Sequence, residues 1–138
     1  MSRNKRYRAR DVRVPTIIAL QVTPEVGIAQ HMALTSLTDG WADKAQFNAL
    51  AECCNLLAHG AKLKQDDEAD KVADLGESAL SNIKDRYLST GLFTALDDEL
   101  QALLAMIQFS EDWWNRQGGA TFDAAYQAMR AEDEKDRA

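Results

Sequence analysis

An all-α fold, a compact bundle of about five helices behind an extended basic N-terminal arm, is what three features of the chain predict. Gly and Pro are scarce, at 7 and 2 of 138 residues. Ala and Leu recur throughout, which favours helix over strand. Apolar residues return every three to four positions along most of the chain, the spacing of a helix face. At this length the chain is expected to form one domain with a real core. Residues 16–130 are read as the helical body, residues 1–15 as a flexible or extended basic arm, and residues 131–138 as a frayed acidic tail.

The first helix is expected to open at Thr23-Pro24-Glu25. Thr23 can cap, Pro24 suits the first helical position, and Glu25 complements the helix dipole. Val26, Ala29, Ala33 and Leu37 follow at helical spacing, and Gly40 closes the element. The second helix runs from about Asp43 to His59, with Phe47, Leu50, Cys54 and Leu57 as its apolar stripe and Gly60 placed as a left-handed cap. The polar run KLKQDDEADK (residues 62–71) reads as a loop leading into a third helix. Val72, Leu75, Ala79, Ile83 and Tyr87 form the inner face of that helix, which ends near Gly91. A fourth helix opens at Thr94 with Asp97 three residues on, a short-acid form of the capping box. Leu96, Leu100, Leu103, Leu104 and Ile107 give it the strongest apolar face in the chain, and it stops at Gly118-Gly119. A fifth starts at Thr121 with Phe122, Tyr126 and Met129 inward. The segment TIIALQV (residues 16–22) reads as an extended lead-in, since no second strand exists to pair with it.

Charge divides the chain unevenly. The net charge is −6. Residues 1–13 carry Arg3, Lys5, Arg6, Arg8, Arg10 and Arg13 against Asp11, which is +5. The rest holds 10 basic and 21 acidic side chains, which is −11. Such asymmetry bears on partners rather than on fold. The arm, with Tyr7 among its cations, suits phosphates, an acidic protein surface or the acidic body itself. An arm held only in solvent adds little to the core, so its removal is expected to leave thermal stability nearly unchanged.

Catalytic and metal-binding patterns are not legible. Cys53, Cys54, His31 and His59 match no zinc spacing, and adjacent helical cysteines point about 100° apart, which favours buried reduced thiols. Asp66, Asp67, Glu68 and Asp70 form one acidic run and Asp97, Asp98 and Glu99 another. Both fall at helix starts, where carboxylates serve the dipole. No phosphate loop or nucleophile triad is present. The reading is therefore non-enzymatic, with no cofactor and no metal. Trp113 and Trp114 are neighbours on a helix, so one is expected in the core and the other near the surface, as an interface contact or as a lid on the bundle end.

The opening SRNKRYRARDV, followed by a small helical body with Ala-rich helices, resembles a group of short uncharacterised proteins encoded by phages and prophages of proteobacteria. The resemblance is carried by residues 1–15 and transfers no residue role. It implies a context in which small accessory proteins bind host proteins, including components of defence systems, or act as regulators.

Together these readings give an interaction protein that binds a bacterial host protein or a nucleoprotein complex, in the manner of an anti-CRISPR or similar inhibitor. Its partner-binding residues are expected among Arg3, Lys5, Arg6, Tyr7, Arg8, Arg10, Asp66, Asp67, Glu68, Asp70, Trp113 and Trp114. Non-specific nucleic-acid contact through residues 1–13 is part of this picture, and membrane contact is not. The absence of an export signal points to the cytoplasm of the host cell. The alternative is a small DNA-binding transcriptional regulator that uses the basic arm, for which no helix is basic enough to serve as a recognition helix. The oligomeric state and the partner's identity are open at this level.

Overall fold

A computed structural model describes the backbone of residues 24–137 and the side chains of residues 29–135. The arm and the lead-in lie outside the described residues. Within them the chain forms α1 (Pro24–Asp39), α2 (Lys44–Lys64), α3 (Asp67–Thr90), α4 (Asp97–Arg116) and α5 (Gly119–Arg137). No strand occurs among the described residues. None of these helices is long and apolar enough to cross a membrane.

α2 is the central helix and packs against the other four. Its sequence explains this role, because its buried positions surround the helix: Phe47, Leu50, Ala51, Cys53, Cys54, Leu56, Leu57, Ala58 and Ala61. A helix with apolar residues on most of its sides must be enclosed, and the remaining side of α2 carries Asn48 and Asn55, which are buried as well. α3 lies antiparallel to α2, with Cys54 Sγ donating to the Ala73 carbonyl at 3.2 Å and Phe47 at one end stacked with Phe93 beyond the end of α3. α4 packs on both α2 and α3. Cys53 and Ser110 meet at 3.4 Å. His31 of α1 reaches Glu111 of α4 at 3.2 Å, and His59 of α2 reaches Glu132 of α5 at 3.1 Å.

Several boundaries differ from expectation. α2 does not stop at His59 but continues through Lys64, and Gln65, not Gly60, takes the left-handed cap with φ 52°. Gly60 is interior because two indole rings press on it. A Cβ there would sit 2.8 Å from both Trp113 and Trp114. Gly76 plays the same part on α3, where a Cβ would meet the Met106 thioether. Gly60→Ala is expected to destabilise by about 1–3 kcal/mol, because rigid rings cannot yield. Gly76→Ala should cost less, because Met can change rotamer and Ala regains up to about 1 kcal/mol of helix propensity. Urea denaturation of both variants checks the order, and equal costs would contradict it.

Leu75 is 63 % exposed. Of the expected face, Ala79 and Ile83 are buried and Val72 and Tyr87 pack partly buried on the core; the rest of the inner face is the set Ala69, Ala73, Gly76 and Leu80, whose small members let α2 approach closely. Ala29 on α1 is also exposed. α4 opens at Asp97 rather than Thr94; Glu99 accepts from the Leu96 amide at 2.9 Å, so the reciprocal carboxylate is Glu99. Leu96, expected on the inner face, is 57 % exposed. α4 ends at Arg116 and α5 begins at Gly119, two residues before Thr121. The acidic C-terminal run is not frayed from 131 onward, since α5 runs to Arg137.

Candidate functional site: the α1–α2 and α3–α4 end of the bundle

The antiparallel order gathers the end of α1, the start of α2, the end of α3 and the start of α4 at one end of the molecule. Two connections shape this end. Gly40 takes φ 85° and Gly91 takes φ 79°, left-handed values that suit glycine. The Gly91 amide bonds the Tyr87 carbonyl at 2.7 Å, and the Leu92 amide donates to Thr90 Oγ1 at 3.1 Å. Tyr87 stacks on Phe93 with centroids 3.9 Å apart, and Phe93 stacks on Phe47 at 5.2 Å. Arg86 ties the far side of the same connection: its guanidinium donates to the Thr94 carbonyl at 3.1 Å and pairs with the buried Glu99 carboxylate. The 91–96 segment is thus held by a ring stack, a left-handed turn and an ion pair.

Between the connections runs an open groove of about 520 Å³, lined by Ala42–Ala45, Tyr87 and Gly91–Phe93. Trp41, next in the chain to its lining, is 53 % exposed, and Leu92 on its wall is 64 % exposed. Leu88 and Leu96 add exposed apolar surface at the same end, at 65 % and 57 %. Exposed carboxylates accompany them: Asp39, Asp43, Asp85, Asp97 and Asp98. Asp43 also caps α2, accepting from the Ala45 amide at 2.9 Å. An apolar centre with an acidic rim, built on fixed turns, is suited to contact with another macromolecule.

The residues singled out from sequence lie elsewhere. Arg3, Lys5, Arg6, Tyr7, Arg8 and Arg10 lie outside the described residues. Trp113 and Trp114 are both buried, at 1 % and 7 % exposure, so neither is a surface contact. α5 turns back only two residues after α4 and covers the second ring, with Trp114 against Phe122 at 5.0 Å. Trp113 donates its indole N–H to Asp66 Oδ2 at 2.8 Å. Asp66 also caps α3 through the Ala69 amide at 3.1 Å. These bonds, led by the one from Trp113, hold the Asp66 carboxyl below the ordinary carboxylate range. Asp67 and Glu68 are exposed in the first turn of α3 and Asp70 is half-buried, at the opposite end from the groove.

Trp41 was not foreseen. It stands between Gly40 and the cap Asp43, outside any helical stripe, and a large ring in so short a connection is the signal that marks it. Leu88 lies off the expected stripe of α3 and Leu92 lies in a connection, whereas Leu96 fits the period of α4 but precedes its first residue, Asp97. The cysteines are free and buried, and burial pushes the Cys53 thiol up to about 11, which leaves it protonated and a poor nucleophile at neutral pH. Among the described residues no cluster of three or more His, Cys, Asp or Glu side chains could hold a metal ion. No family model matches the chain, and comparison with curated proteins and with solved structures finds no match.

Proposed function

We propose that this chain is a non-enzymatic interaction protein whose Trp41–Leu92 end binds the basic, nucleic-acid-binding surface of a bacterial protein. The observation that carries the reading is the exposed apolar set Trp41, Leu88, Leu92 and Leu96 beside five exposed aspartates. A Trp flanked by leucines supplies the desolvated anchor of an interface. The aspartates, on a body of charge −11 outside residues 1–13, steer it towards cations and repel nucleic acid itself. A protein of this kind occupies a surface meant for phosphates and so inhibits the partner. That is the action of an anti-CRISPR or related anti-defence inhibitor, and the resemblance of the opening residues to phage-encoded proteins supports the same context.

The exposed residues make a clean test. Trp41→Ala combined with Leu92→Ser removes the anchor without touching the buried core. The immobilised wild-type chain is expected to retain a nucleic-acid-binding protein from bacterial lysate, and the purified partner should bind the double variant at least tenfold more weakly. Both proteins should melt at the same temperature. Equal affinity for the wild type and the variant would overturn this placement of the interface.

A further inference from the structure

On α3, Asp70, Asp74, Glu77, Ser81 and Lys84 recur at intervals of three and four, so they form one stripe. Glu77, Ser81 and Lys84 are only 5 %, 8 % and 4 % exposed. Asp70 and Asp74 are half-buried. This stripe is not the face that α3 turns to α2 and α4, which is Ala69, Ala73, Gly76, Leu80 and Ile83. Nor does α5 cover it, for α5 packs mainly on α2.

A matching stripe runs along α2: Asn48, Glu52, Asn55 and His59. The His59–Glu132 contact turns it towards α5. It lies across the helix from Cys53 and Gly60, which face α4. Because α2 and α3 are antiparallel, the two stripes open on the same edge of the pair, the one away from α4. The result is a seam floored by Asn48 and Asn55, with Asp70, Asp74 and Glu77 on the α3 side and Glu132 of α5 beside His59. Lys84 sits at its far end.

The floor is unsatisfied. Asn48 Oδ1 and Nδ2, Asn55 Nδ2 and Ser81 Oγ are buried without a hydrogen-bond partner among the described residues. Buried polar atoms of this kind require a partner. Carboxylates beside an amide oxygen fit the guanidinium fork, which offers five donors in a plane.

We propose that this seam is the docking surface for the chain's own residues 3–13. That segment holds six of the chain's 16 basic side chains. The path is short enough. The His31–Glu111 contact and the antiparallel order put Pro24 at the end of the bundle where α3 begins. The ten intervening residues can span up to about 33 Å, whereas neighbouring helix axes are about 8–10 Å apart. The carboxylates Asp70, Asp74 and Glu77 occupy the near half of the seam. The acidic body then holds its own basic arm, and the Trp41–Leu92 end stays free for a partner. This inference does not depend on the partner's identity.

Zero-length carbodiimide cross-linking of the full chain at dilute concentration tests it. Lys5 is expected to link to one or more of Asp70, Asp74 and Glu132 in the monomeric fraction, as read by peptide mass spectrometry. The exposed pair Lys71 and Asp67, one helical turn apart, reports that the reagent has acted. In place of the unchanged stability expected of an arm held only in solvent, changing Arg3, Lys5, Arg6, Arg8 and Arg10 together to Ala should lower Tm by roughly 5 °C at low salt, and by less at high salt. A Lys71–Asp67 link without any Lys5 link to the seam would overturn the proposal. So would an unchanged Tm in the five-fold variant.

Discussion

Leu103→Ala is expected to cost about 2–5 kcal/mol of stability. Leu103 is fully buried in α4, on the face shared with Met106, Ile107 and Trp113. Removing its branched end leaves a cavity between helices already in contact, and the small residues of α3 that face α4 cannot expand to fill it. For a domain whose total stability is about 5–15 kcal/mol, this is a large fraction. Urea denaturation monitored by circular dichroism gives the value directly. A loss below about 0.5 kcal/mol would show that the residue does not carry the core.

The second large effect is expected at Arg86. Its guanidinium pairs with Glu99, whose side chain is 6 % exposed, and also bonds the Thr94 carbonyl. Arg86→Ala leaves a carboxylate in the interior with the Leu96 amide as a remaining donor. Breaking a buried pair on one side costs about 3–5 kcal/mol. Arg86 itself is about one-third exposed, so the lower part of that range applies. The cost should fall below about 1 kcal/mol in a Glu99→Gln background, where no charge is stranded. A double-mutant cycle measures the difference. An unchanged cost in that background would mean that packing of the Arg stem, not the ion pair, holds the 91–96 segment. Since that segment forms one wall of the groove, Arg86→Ala is also expected to weaken partner binding.

Much of the bundle was legible because its physics is local. Phe47, Leu50, Cys54 and Leu57 on α2, and Phe122, Tyr126 and Met129 on α5, announce their burial by spacing alone. Gly91 announces the end of α3. What was not legible depends on contacts between distant segments. Gly60 looks like a cap until Trp113 and Trp114, more than fifty residues away, are seen to need the space. One of Trp113 and Trp114 looks destined for the surface until α5 is seen to cover the second ring. Leu75 fits the helical period as well as Ala73, but close approach to α2 selects the smaller side chain. The candidate site was the least legible part. Trp41 and Leu92 sit in connections, where no periodicity exists to flag them, and only the antiparallel order brings them to the same end of the bundle. The acidic run Asp66–Asp70, prominent in the chain, caps and charges a helix start at the other end of the molecule.

The central claim is that the apolar, acid-rimmed end of the bundle occupies a surface its partner uses for nucleic acid. Competition tests it most directly. The purified partner is loaded with a fluorescent oligonucleotide it binds, and the chain is titrated in while anisotropy is recorded at low and at high salt. The account predicts full displacement by the wild-type chain, weaker displacement as salt rises, and little displacement by the Trp41→Ala/Leu92→Ser variant. Formation of a ternary complex, with the oligonucleotide retained while the chain is bound, would contradict it.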